Sequence, residues 1–402
     1  MARERPAAVG SELERQARDA FVADRPGYAE TAVLDRLRES DYRRLDESGH
    51  VYLDYTGAGL YAASQVSQHT GWLTSQVLGN PHSGSPTSAG STMAVEGARQ
   101  AVLRYFNAQN SYTAIFTANA TAALKLVGEA FPFGVGSQLL LTADNHNSVN
   151  GLREFARAHG AQVSYAGLTT PDLRIDEPAL RAALAVRDPH LPNLYAFPAQ
   201  SNFSGVRHPL GLVAEAEQSG WTVLLDAAAF VPTARLDLQA IRPHFVALSF
   251  YKMFGYPTGV GCLLVRKDAI SLLHRPWFAG GTVNFASVAG ARHVLARGEA
   301  GFEDGTLNFL SIPAVEIGLR HLDSVGLACV GRRVMELTGW LLEALLGLRH
   351  ANGRHMVRIY GPATMEARGG TIALNLYDPE GRLLDYRRVE ELAGAVGISL
   401  RT

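Results

Sequence analysis

The chain has 402 residues, 47% hydrophobic and 19% charged, with 37 Lys plus Arg against 38 Asp plus Glu. That length suggests one large or two moderate domains with a real core. The near-neutral balance points to neither nucleic acid nor a membrane surface as partner, and the apolar runs fall short of the roughly 20 residues a spanning helix needs.

The N-terminus, MARERPAAVGSELERQARDAF, mixes acids and bases and lacks an apolar h-region, so no signal peptide is expected. It reads as a frayed start followed by an amphipathic helix. Strands are predicted at YTAIFTA (112–118), QLLLTAD (138–144), QVSYAGL (162–168), NLYAFPA (193–199), TVLLDAA (222–228), FVALSFY (245–251) and CLLVRK (262–267). Helical patterns such as TAALKLVGEAF, SVNGLREFARAHG and PLGLVAEAEQSG lie between most of them. Continuous apolar strands alternating with helices predict an α/β fold, a mainly parallel seven-stranded sheet covered on both faces. The last two strands are joined by a Gly/Pro turn, so one of them is expected to run antiparallel.

From about residue 310 the pattern changes. Two helical stretches, AVEIGLRHLDSVG and RRVMELTGWLLEALLGLRHANG, precede MVRIYG, GTIALNLYD and VEELAGAVGISLRT. The expected division is an N-terminal segment, 1–50, packing on a small C-terminal domain, 311–402, with a large domain over 51–310. Cys262 and Cys329 both read as buried small hydrophobes, and such sparse cysteine fits a reducing, cytoplasmic compartment. No metal-ligand spacing appears among the histidines.

In open α/β sheets ligands gather at the carboxyl ends of strands. Asn119-Ala120-Thr121 follows the first strand and opens a helix, offering N–H groups to an anion; the same cluster also reads as an ordinary N-cap. His146 follows the second strand, Asn202 the fourth, Asp226 ends the fifth and Lys252 the sixth. These ends offer, in order, an anion cradle, an imidazole, an amide, a carboxylate and an amine. Pyridoxal phosphate has a partner for each: a phosphate, an aromatic ring, a ring hydroxyl, a basic ring nitrogen and an aldehyde. Lys252 is one of three lysines in the chain. Lys125 lies inside a helix and Lys267 in a charged turn, so Lys252 is the residue expected to form the imine.

At these residues the chain resembles the class V branch of fold-type I pyridoxal-phosphate enzymes, the cysteine desulfurase group. Within it the chain is most similar to the N-terminal, aminotransferase-like domain of molybdenum cofactor sulfurases. The resemblance rests on VYLDYTGAG, GNPHS, IFTANATAALKLVGEAF, DNHNSVNGLR, QSNFSGVRHPL, LLDAAAFVPT, SFYKMFGYPTGVGCLLV, WFAGGTV and FEDGTLNFLSIPA. It implies Lys252 as the Schiff-base lysine, Asp226 as the pyridine partner, His146 as the stacking residue and Asn202 as the contact to the ring hydroxyl. Ala120, Thr121, Ser249 and Tyr251 fall where the phosphate is held. Thr282 aligns with a residue that reaches the phosphate of the neighbouring subunit in homodimers. Arg401, and more weakly His82, would face an amino-acid substrate.

Two departures bear on the activity. Ala229 and Tyr251 stand where many desulfurases have glutamine and histidine. The family's persulfide-forming cysteine follows the stretch matching GISLRT, and this chain stops at Thr402, so the small domain is expected to lack its last segment. Either these residues end before that cysteine, or sulfur transfer is lost. The expected activity is therefore that of a desulfurase or sulfurase passing sulfur to an acceptor protein or cofactor. The alternative is a C–S lyase or other tailoring enzyme (elimination, aminotransfer or epimerisation) needing no such thiol.

Overall fold

The architecture is that of a computed structural model, which describes residues 9–81 and 83–402. Its centre is one seven-stranded sheet: β1 (Tyr112–Thr117), β2 (Gln138–Thr142), β3 (Gln162–Ala166), β4 (Leu194–Pro198), β5 (Thr222–Asp226), β6 (Phe245–Ser249) and β7 (Gly261–Arg266), in the order β1-β7-β6-β5-β4-β2-β3. Only β7 is reversed, running antiparallel to both β1 and β6. The Gly/Pro turn before it allows this, because a reversed neighbour needs no long crossover.

Alternation within each strand sorts its side chains between two cores. Leu225, Val223, Leu248, Val246, Phe197 and Tyr195 face one cluster. Leu224, Ala247, Phe245, Ala196 and Leu194 face the other. Successive side chains of a strand point to opposite faces, so a strand covered on both sides is apolar throughout. Each fully buried Leu, Val or Phe contributes about 1.5–3 kcal/mol. Helix Ala120–Ala130 covers one face; helices Pro86–Tyr105 and Pro313–Val325 help cover the other.

Several elements differ from the sequence reading. The expected strands at 138–144, 222–228 and 245–251 stop two residues early, at Thr142, Asp226 and Ser249. Their last residues are loop or helix that turns over the sheet edge. The run QVSYAGL divides: its tail, Leu168–Thr169, pairs with Arg174–Ile175 in a separate hairpin. Helix Pro313–Val325, assigned by pattern to the second unit, packs against Ala63–Ser75 and Pro86–Tyr105, and its Val315, Leu319 and Leu322 join the main cluster. Cys262 is buried in β7 as expected, but Cys329 is half-buried in helix Leu327–Gly347.

Helix Leu327–Gly347 carries the N-terminal segment on its outer side. Arg333 bonds Asp35 at 2.8 Å and lies 3.8 Å from the centre of the Tyr28 ring, while Phe21 meets Trp340 edge to face. Strands Val357–Tyr360 and Ala373–Leu376 form a two-stranded antiparallel sheet beyond it. The last elements are helix Tyr386–Ala395 and Ile398–Ser399, which pairs in parallel with Val51–Tyr52.

Candidate active site

Six strands of the sheet share one direction, so the segments after β1, β2, β4, β5 and β6 meet at one edge. They enclose a cavity of about 380 Å³ lined by residues that include Thr121, His146, Asn202, Asp226, Ser249 and Lys252. The reversed β7 brings Thr258 and Gly259 to the same rim. Gly261 starts β7 beneath Asn119, where an added Cβ would lie 2.5 Å from that residue's backbone. Only glycine allows the first loop to sit so close to the sheet.

Lys252 is not in a turn at the strand end. It sits within the short helix Phe250–Phe254, which Gly255 ends at φ 77. Burial lowers its pKa from the usual lysine range, Asp226 opposes that shift and Arg401 adds to it. Asp226 is 8% exposed and accepts from the Ala228 N–H at 3.0 Å. Burial holds its pKa above the usual carboxylate value, against the pull of Ala228, Lys252 and His146. The two groups thus sense each other across the cavity.

The His146 ring is open to the cavity, yet desolvation by the surrounding protein lowers its pKa, and the Lys252 charge lowers it further. The neutral ring is oriented by Ser148, whose backbone N–H donates to Nδ1 at 3.1 Å. That leaves Nε2 as the protonated nitrogen. Ser148 Oγ in turn lies 2.8 Å from Thr121 Oγ1, so the imidazole and the helix start are tied together.

At that start Asn119 caps helix Ala120–Ala130 by accepting from Ala122 N at 2.9 Å, and the Ala120 N–H donates to Ser249 Oγ at 2.7 Å. The Thr121 N–H meets no acceptor among the described residues. An unpaired N–H at the positive end of a helix is a ready anion site.

Arg401 and Tyr251 also line the cavity. Arg401 forms a bidentate pair with Asp54, at 2.6 and 2.9 Å, and this hydrogen bonding raises its pKa. Thr282 is not brought there: it is buried in the turn Ala279–Thr282, its hydroxyl bonded to the Ala279 backbone. His82 lies outside the described residues. The sequence reading named no role for Asp54, Thr56, Ser148 or Gln200, all found at or beside the cavity. Their signal was position alone, on the loops next to the named groups.

Comparison with known proteins gives the same frame. Residues 51–401 match the family Aminotransferase class-V. The chain belongs to that family. A molybdenum cofactor sulfurase from Arabidopsis thaliana is 39% identical over 408 residues, covering 92% of this chain and 50% of the relative. This class-V chain thus spans about half the length of the curated relatives it matches. Among solved structures, the apo cysteine desulfurase of Thermococcus onnurineus superposes with TM-score 0.75 at 20% identity, covering 91% of this chain and 87% of that one. The cystine C–S lyase C-DES, solved with its product cysteine persulfide, superposes with TM-score 0.72 at 19% identity, covering 88% and 90%. At such identities the structures establish the fold, and both chemistries occur on it.

Proposed function

We propose that the chain is a pyridoxal-phosphate-dependent enzyme of the cysteine desulfurase type, acting on L-cysteine or a related sulfur amino acid within a molybdenum cofactor sulfurase-like protein. One observation carries the reading: an amine, a buried carboxylate and a helix start with an unpaired N–H line one cavity. Pyridoxal phosphate fits these residues. The Thr121 N–H and the Ala120–Thr121 start suit its phosphate, Lys252 its aldehyde, and Asp226 its ring nitrogen. A cationic ring beside Asp226 would compensate a carboxylate that is otherwise buried at a cost.

Once bound, the group supplies a sink for the electron pair released at the substrate α-carbon. Lys252 Nζ, its pKa lowered by burial, would remove and return the α-proton. His146 would stack on the ring, and its lowered pKa disfavours a second positive charge beside the amine. Asn202 would face the ring hydroxyl. Arg401, steadied by Asp54, would receive the substrate carboxylate. Tyr251 and Ser249 would close the phosphate side.

Partnership is part of the proposal. A second copy of the chain is its expected neighbour, because hairpin Val283–Ala286 and His293–Leu295 exposes Phe285 and Val294 next to Thr282. A sulfur-accepting protein or cofactor would follow. Both thiols are unpaired, in keeping with a reducing compartment such as the cytoplasm. Among the described residues no helix is long and apolar enough to cross a membrane.

A second reading is a C–S lyase, whose elimination would need only Lys252, the cofactor ring and a leaving group. Incubation with L-cysteine separates the two. Alanine with sulfur delivered to an added thiol supports desulfuration; pyruvate, ammonia and sulfide support elimination. Absence of a visible absorption band on adding pyridoxal phosphate would overturn both.

A further inference from the structure

We propose that Gln200 is a further ligand-contacting residue of the cavity, its side-chain amide held as a hydrogen-bond donor toward an anionic oxygen. The inference deepens the pyridoxal-phosphate reading and rests on it.

The local chain dictates the arrangement. After β4 the backbone turns back tightly: Ser201 N donates to Val206 O at 2.8 Å, and Gln200 and Arg207 oppose each other in an antiparallel bridge. Directly opposed residues of such a pair present their side chains to the same face. Arg207 Nε accordingly donates to Gln200 Oε1 at 2.9 Å, and Arg207 Nη2 donates to Thr233 Oγ1 at 3.1 Å. A guanidinium only donates. The amide oxygen must therefore face Arg207, and the NH₂ must face away from it.

That NH₂ has no acceptor among the described residues, although Gln200 is only 4% exposed and lines the cavity. The amide is also boxed in. A Cβ on Gly369 would lie 2.2 Å from Gln200 Oε1 and 2.7 Å from Nε2, so only glycine lets the backbone of 369 pass so close. The NH₂ itself opens onto the cavity rather than being sealed in the protein, so an oxygen brought there by a ligand can accept from it.

The charge of the expected acceptor follows from Arg207. Among the described residues no carboxylate pairs with its guanidinium; its partners are Gln200, Thr233 and the Phe230 ring. An uncompensated cation behind the amide strengthens the NH₂ as a donor and favours an anionic oxygen over a neutral one. The neighbouring wall, Ala228 and Ala229, carries only methyl groups. Under the proposed function the phosphate is taken by Ala120–Thr121, and two further anionic groups enter the cavity: the ring oxygen of pyridoxal phosphate and the carboxylate of the amino acid.

Two substitutions test the assignment. Gln200→Leu keeps the volume and removes the donor. Gln200→Glu keeps an oxygen for Arg207 but turns the donor into a second acceptor that repels an anion. The purified chain is loaded with pyridoxal phosphate. Its visible band is titrated with pH without substrate, cofactor affinity is read by fluorescence, and steady-state rates with L-cysteine follow. If the ring oxygen is the acceptor, both variants move the midpoint of the band and weaken cofactor binding about tenfold, Glu more than Leu. If the substrate carboxylate is the acceptor, band and cofactor affinity stay as in the wild type, and KM rises about tenfold with kcat held within about twofold. Wild-type titration, affinity and KM in both variants would overturn the role of Gln200 and leave the cofactor reading standing. A wild-type chain that forms no band would instead remove the reading itself.

Discussion

Lys252 and Arg401 line the same cavity, but the chain holds them by different means. Lys252 follows a strand whose every residue is buried, and its helix packs through Phe250, Met253 and Phe254 into the main core. Arg401 hangs from Ile398–Ser399, a two-residue strand paired only with Val51–Tyr52, after helix Tyr386–Ala395, which has no buried residue. One wall is fixed by packing, the other by a short strand pairing, the His50–Ser399 bond and the Arg401–Asp54 ion pair at the surface. A covalently held cofactor needs exact placement, while the wall that meets the substrate can remain soft.

Lys252→Ala strikes the rigid wall at its reactive atom. It should abolish the visible band and reduce turnover by at least ~10³-fold, read by absorption and by alanine or pyruvate release. Wild-type rates in that variant would break the comparison at its root.

Next in size is the support behind the rigid wall. Arg99 and Glu303 form a buried bidentate pair at 2.7 and 3.0 Å, and Glu303 also accepts from Phe116 N. Glu303→Ala leaves the buried guanidinium with only the more exposed Glu96 as ion partner and should cost about 3 kcal/mol, measured by denaturant unfolding. Arg368 is buried too, yet its donors end on the carbonyls of Pro362, Gly369 and Thr371.

Arg401→Met probes the soft wall. It should raise KM for L-cysteine about tenfold with little loss of stability. It also removes a positive neighbour of Lys252. Arg401 lowers the Lys252 pKa, so its loss should raise that pKa. The pH profile of cofactor attachment, which needs the neutral amine, should move to higher pH.

Asp226→Asn adds a pH test. The folded-state pKa of Asp226 is raised by burial, so the apo protein gains stability as pH falls and this carboxyl takes up its proton. At neutral pH the apo variant should unfold at a higher temperature than the apo wild type, with the difference closing under acid. With cofactor bound the order should reverse, because the ring loses its counter-charge.

The smallest expected effects compare two helix caps. Asn119→Ala removes the cap of helix Ala120–Ala130 and should cost about 1 kcal/mol of global stability, with weaker phosphate binding. Asp385 caps helix Tyr386–Ala395 by accepting from Arg387 N at 2.9 Å. Asp385→Ala should leave the global midpoint in place and raise only the local amide-exchange rate there. A global loss from Asp385→Ala would mean the soft wall is better supported than its burial indicates.

Much of the rigid wall was legible in the chain. Strand cores are continuous apolar runs, and the polar residue that ends or closely follows a run is read directly, as with Asp226 at the end of β5 and Lys252 in the helix after β6. Their exact stops were not, because a strand and the first turn after it share the same apolar letters: Phe250 and Tyr251 extend the pattern but wind into a helix. Helix Pro313–Val325 was misplaced for a similar reason. Its amphipathic pattern declares one buried face and is silent about which core receives it. Asp54 and Gln200 went unread, since a lone acid or amide in a loop carries no periodic signal.

The amino-acid order by itself determined the alternating strands and helices, the reversed last strand and the set of reactive groups at the strand ends, because each depends on neighbours along the chain. Only the tertiary structure decided that Asp54 meets Arg401 across 347 positions, that Arg207 turns the Gln200 amide toward the cavity, and that Thr282 stays on its own turn. Those pairings depend on strand register and on how the layers pack, which no local spacing records.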